Sequence, residues 1–156
     1  MNRSEGLSTS RMGVIHERLL AIAEDVGQLL IRGAFSSNIK ERRDCSTASF
    51  SATGHLIAQA DHMPIHIGSL AWGLRAVLAK YRTSEIADGD AFVMNDPYLA
   101  GGTHLPDISV LTPVFYGGEI THFIGNIAHH ADVGGPVAGS VSGESPDIFW
   151  EWRRLP

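Results

Sequence analysis

A chain of 156 residues with 44% apolar content is long enough for one domain around a single core, and its net charge of −5 speaks against nucleic acid as a partner. The basic residues are scattered, apart from Lys40, Arg42 and Arg43 and the Arg153-Arg154 pair. A lone cysteine, Cys45, excludes an intrachain disulfide, no apolar run approaches the roughly 18 to 20 residues that span a bilayer, and the first twenty residues lack a signal peptide's basic start and apolar core, so the default expectation is a soluble, cytoplasmic protein without a membrane partner.

Residues 1–11 are polar and are expected to be disordered. From Met12 to Arg32, Ile15, Leu19, Ile22, Val26, Leu29 and Leu30 recur at steps of three and four, which predicts one amphipathic helix closed by Gly33. The stretch CSTASFSATGHLIAQA reads as two short strands joined by a turn near Thr53-Gly54. A second helix starts after Gly68-Ser69, with Leu70, Leu74, Leu78 and Tyr81 on one face. DGDAFVMNDP then marks a turn, a short buried strand and another turn.

Residues 107–130, DISVLTPVFYGGEITHFIGNIAHH, predict a β-hairpin turning on Gly117-Gly118. Ideal pairing sets Phe115 opposite Ile120, Leu111 opposite Ile124, Ile108 opposite Ile127 and Pro106 opposite His129, with both faces largely apolar and so buried on two sides. The fold class expected is α+β: the N-terminal helix, the β-hairpins and the second helix packed on a mixed sheet, with no internal domain boundary.

His104 and Asp107 stand three apart among Gly101, Gly102 and Pro106, so a turn rather than a regular strand is expected there, and a turn lets positions i and i+3 converge. The two can simply stabilise that turn. With one histidine of the Ala128–Ala131 segment they make two imidazoles and a carboxylate, a set suited to Mn, Fe or Zn that leaves positions open for water or substrate. Ideal pairing puts His130 on the face of Asp107 and His129 on the other, an assignment that a bulge near Pro106 would reverse. Of the remaining polar residues, Cys45 has no evident base beside it and reads as a small core residue, while the charged run ERRDCS around Asp44 reads as a solvated face. His62 and His66 flank Pro64 and so do not share a continuous helix, although His66 could bind an anionic group. The Gly- and Ser-rich residues 131–147 could close over a pocket but match no phosphate-binding loop, so ATP is not expected to bind here.

The ordered series NDPY, GGTHLPD and HHADVGG, with ERRDCSTASFSATGHLIAQADHMPIHIGSL before it, resembles the N-terminal part of the hydantoinase B/oxoprolinase family over residues 12–147. That family includes N-methylhydantoinase, 5-oxoprolinase, caprolactamase-like enzymes and the acetone carboxylase alpha subunit. The resemblance implies the B-type part of an ATP-coupled enzyme acting on a cyclic amide or a ketone, with a separate A-type subunit using the ATP. It implies a divalent Mn, Zn or Fe ion on His104, Asp107 and His129, with Asp44 as a fourth ligand or catalytic group, and therefore a bulge near Pro106. Asp132 and His66 become candidate catalytic residues and Asp96 a candidate for substrate contact. Family members run to several hundred residues, so residues 12–150 are expected to be the truncated N-terminal part of a larger domain. Residues 151–156 are a disturbed form of its continuation, IFWEWRRLP standing where the family has IFEEGLRIPP. An inactive fragment that only binds metal or a partner protein is the alternative from another class.

Overall fold

The computed structural model describes residues 8–60, 62–66, 68–151 and 153–156. Residues 1–7 of the segment expected to be disordered lie outside the described residues. Ser8 already caps the first helix, α1 (Thr9–Gly33), its hydroxyl accepting the Arg11 amide hydrogen at 3.3 Å. The helix therefore starts three residues before Met12.

The stripe that α1 buries takes in only half of the residues expected on it, Leu19, Val26 and Leu30 being half-buried. Ile15, Ile22 and Leu29 are exposed, whereas Ala23, Gly27 and Ile31, spaced by four, are buried. Close approach explains the difference. The Thr47 hydroxyl donates to the carbonyl oxygen of Ala23 at 2.6 Å, and the ring of His62 lies against Gly27 where any Cβ would overlap it. A helix that meets a sheet through its backbone must turn its smallest side chains inward.

After a single helical turn, α2 (Ser37–Lys40), Arg43 at φ 55° swings the chain into β1 (Cys45–Ser51). β2 (Leu56–Ala60), α3 (Ser69–Lys80), β3 (Phe92–Met94), β4 (Asp107–Tyr116) and β5 (Glu119–His129) follow. The sheet order is β2-β1-β5-β4-β3, and every neighbouring pair is antiparallel. The α+β expectation holds, but the sheet is antiparallel throughout rather than mixed. Short turns join β1 to β2 and β4 to β5, and only antiparallel neighbours can be joined that way.

α3 covers one face, where Leu70, Leu74 and Val77 meet Phe50, Met94, Leu111, Phe123 and Ile127 in the main core. Tyr81, expected on the same helical face, lies just past the helix end in extended backbone and packs on Phe92 with ring centroids 5.2 Å apart. The opposite face carries α1 over β1 and β2, with a smaller cluster of Ile31, Ile39, Cys45 and Ala128. Beyond α1 that face is open: Ile108, Val110 and Ile124 are only half-buried and Val93 is exposed. Two-sided burial thus fails for the β4–β5 hairpin, and β3 is an edge strand rather than a buried one.

Gly117 and Gly118, with φ of 63° and 85°, form the expected turn, and Phe115 faces Ile120 as ideal pairing requires. Thr121 is then an extra residue. Its hydroxyl donates to the Val114 carbonyl at 3.1 Å and its own carbonyl accepts from the Ala52 amide, so the bulge leaves its polar groups satisfied. Every later partnership moves by one: Leu111 faces Gly125, Ile108 faces Ala128, and Asp107 faces His129.

Candidate metal centre

The bulge decides which histidine joins Asp107. With Thr121 inserted, Asp107 and His129 are direct cross-strand partners on the face that α3 covers. The parity change expected near Pro106 occurs, but at the turn end of the hairpin. His130 points to the other face, beside Leu29, Leu30 and Ile39, and its amide donates to the Pro106 carbonyl at 3.0 Å. Burial, then the neighbouring His129, pushes its pKa down.

His104 arrives by a turn, the Asp107 amide donating to the His104 carbonyl at 3.1 Å. His104 Nε2 and His129 Nδ1 lie 3.0 and 3.1 Å from the same Asp107 oxygen, Oδ1, and 2.9 Å from each other. Asp107 Oδ2 accepts the hydroxyl of Thr103, a residue to which the sequence reading gave no role although it stands inside GGTHLPD. Burial alone would raise the Asp107 pKa, yet the groups that face the carboxylate, His104 first, then His66 and Thr103, outweigh it and hold the carboxyl far below the usual carboxylate range. The same Asp107 hydrogen bond raises the pKa of His104.

Two further candidates converge here. Asp44 immediately precedes β1, and its carbonyl accepts the His129 amide at 2.9 Å. His66 ends a short 3-10 turn, Pro64–His66, with its side chain wholly buried. Its Nε2 faces Asp44 Oδ1 at 3.7 Å and Asp107 Oδ2 at 3.8 Å, too far for hydrogen bonds, and neither ring nitrogen has a hydrogen-bond partner among the described residues.

The donor set fits a divalent cation. Three ligand atoms of two imidazoles and one carboxylate face each other, and a buried imidazole beside them lacks hydrogen-bond partners among the described residues.

Other candidates lie elsewhere. Asp132 is engaged by its own loop: its carboxylate accepts the Gly134 and Gly139 amides and the Ser140 hydroxyl, which lower its pKa in that order. Asp96 is fully buried and accepts from Arg154 and from the Tyr98 and Leu99 amides. Cys45 is a core residue as expected, and burial pushes its thiol up to about 11. An apolar pocket of about 340 Å³ between α3 and β3, lined by Val77, Tyr81, Phe92 and Met94, includes no residue of the metal cluster.

The chain is 43% identical over 145 residues to 5-oxoprolinase 1 of Arabidopsis thaliana, a match that covers 93% of this chain and 11% of that protein. The crystal structure of ATP-dependent caprolactamase from Pseudomonas jessenii superposes with a TM-score of 0.77 at 30% identity, over 92% of this chain and 24% of that one. The nucleotide-free structure of acetone carboxylase shares the fold, with a TM-score of 0.73 at 22% identity over 80% of this chain and 16% of that one. The chain spans between 11% and 26% of the length of the curated relatives that it matches most strongly. Residues 9–156 match the hydantoinase B/oxoprolinase model, and the chain belongs to that family.

Proposed function

We propose that this chain is the metal-holding portion of the B-type subunit of an ATP-coupled cyclic-amide hydrolase. The observation that carries the reading is the meeting of His104 Nε2, His129 Nδ1 and Asp107 Oδ1 within 2.9–3.1 Å in a chain 43% identical to a 5-oxoprolinase. These three residues would hold the ion, with Asp44 as a fourth ligand at the edge of the cluster. Mn, Fe and Zn all suit a set of two imidazoles and a carboxylate. Such an ion supplies Lewis acidity toward a carbonyl or phosphoryl oxygen and lowers the pKa of coordinated water.

The chain's own residues do the rest. Asp107 Oδ1 faces both imidazoles, and Thr103 fixes the carboxylate by donating to Oδ2. His66 Nε2, between Asp44 and Asp107, is the candidate to meet the substrate as a catalytic group. The reading carries with it an A-type partner that uses the ATP, a cytoplasmic location and a hydantoin- or 5-oxoproline-like substrate. Metal analysis tests it directly. Purified protein should hold close to one ion per chain and His104→Ala almost none; equal traces in both would sink the reading. Co-purification with an A-type subunit, followed by ATP-dependent opening of 5-oxoproline or hydantoin, tests the assembled enzyme.

A further inference from the structure

We propose that Glu151 is a positioning residue for the metal ligands and acts through the backbone of Leu105. This inference rests on the metal reading of His104, Asp107 and His129. In the ligand turn the hydrogen bond runs from the Asp107 amide to the His104 carbonyl, which leaves both backbone groups of Leu105 outside it. Leu105 has no exposed surface, so those groups need partners from the protein. Two distant residues provide them. Glu151 Oε2 accepts the Leu105 N–H at 2.8 Å, and Asn95 Nδ2 donates to the Leu105 carbonyl at 3.0 Å. The peptide units before and after Leu105 are thereby each held, the one that joins it to His104 by Glu151, and that bond is the stronger kind because its acceptor is charged.

A simpler role for Glu151 would be to fasten residues 153–156 to the domain. That segment has its own fastening. The Leu155 amide donates to Asn95 Oδ1 at 2.7 Å, the Asn95 amide donates to the Leu155 carbonyl at 3.2 Å, and Arg154 Nε donates to Asp96 Oδ2 at 2.8 Å. The Glu151 backbone is supported from behind as well: a Cβ on Gly135 would come within 2.7 Å of the Glu151 carbonyl oxygen, so the Asp132–Ser140 loop packs directly on it. The carboxylate is the part that reaches the ligand turn. Its removal should leave the segment in place while freeing His104 to move by fractions of an ångström, enough to matter for a three-donor site.

The test is titration of metal-free protein with Mn²⁺ and with Zn²⁺ alone, accompanied by the visible spectrum of the Co²⁺-loaded form, which reports donor geometry. Glu151→Ala should bind 10- to 100-fold more weakly than the unaltered protein and show a changed Co²⁺ spectrum; Glu151→Gln, which keeps an acceptor oxygen, should recover most of both. If Glu151→Ala binds as tightly as the unaltered protein with the same spectrum, the positioning role is overturned while the metal reading stands. If the unaltered protein binds neither metal, the metal reading itself is overturned. Should Glu151→Ala fail to fold, amide hydrogen exchange of the unaltered protein decides: a Leu105 amide protected in the metal-free state and slowed further by Mn²⁺ supports the role, and exchange at the rate of an open loop overturns it.

Discussion

Gly27 sets two effects of a single methyl group against each other. Alanine there would gain about 1 kcal/mol of helix propensity. Its Cβ would also meet the ring of His62, which is almost wholly buried and held by Glu24 at 3.2 Å, and overpacking of this kind costs about 1–3 kcal/mol. We predict that the clash wins: Gly27→Ala should lower the melting temperature by roughly 2–4 °C, a net loss of about 1 kcal/mol. The same change made in a His62→Ala background should raise it. A higher melting temperature for Gly27→Ala alone would refute the packing argument. At this scale the sequence was informative where chemistry is local and silent where it is not. His104 and Asp107 were legible because a turn joins them within four residues. Thr103 sat in the same motif, but nothing in spacing says that its hydroxyl faces Oδ2. Glu151 could not have been found, because its partner is 46 positions away and is a backbone amide rather than a side chain.

Among the elements, the β4–β5 hairpin shows where periodicity stops being enough. The Gly-Gly turn and the alternation of apolar residues identified both strands, yet alternation cannot register one residue that is present in a strand without being paired. Thr121 is that residue, and with both strands apolar on their two faces nothing in the pattern betrays it. Helix α1 failed differently: its large apolar residues follow a helical period, but the face that packs is set by how near β1 comes, and that favours Ala23 and Gly27. We predict that deleting Thr121, the unpaired residue, closes the bulge and leaves Asp107 opposite His129. Such a variant should keep its far-ultraviolet circular dichroism and a metal affinity within about threefold of the unaltered protein. A loss of about tenfold or more would show that the bulge itself, and not the register beyond it, shapes the site.

For the molecule as a whole, residues 153–156 add a long-range tie whose strength depends on pH. Burial of Asp96 acts to raise its pKa, but the hydrogen bonds from Arg154 and from the Leu99 and Tyr98 amides overcome it and leave the carboxyl below its ordinary value. A carboxyl depressed in the folded state contributes stability above its unfolded value of about 3.9 and loses it as pH falls through the folded value. Arg154→Leu should therefore melt earlier than the unaltered protein at pH 7, and the gap should narrow below about pH 4 as Asp96 takes up a proton. A gap independent of pH would mean that Arg154 acts by packing alone, for instance over Tyr98, whose ring centre lies 5.7 Å away. Cys45, finally, stands where these scales meet. It is the chain's single thiol, paired across β1 and β5 with Ala128, between Asp44 on one side and the neighbour of His129 on the other. Because it is buried and its thiol is pushed up to about 11, an alkylating reagent can mark it only while that corner of the sheet is open. The protein thus carries its own clock: the rate at which a population gains its one covalent mark per molecule reports how often the corner beside His129 opens.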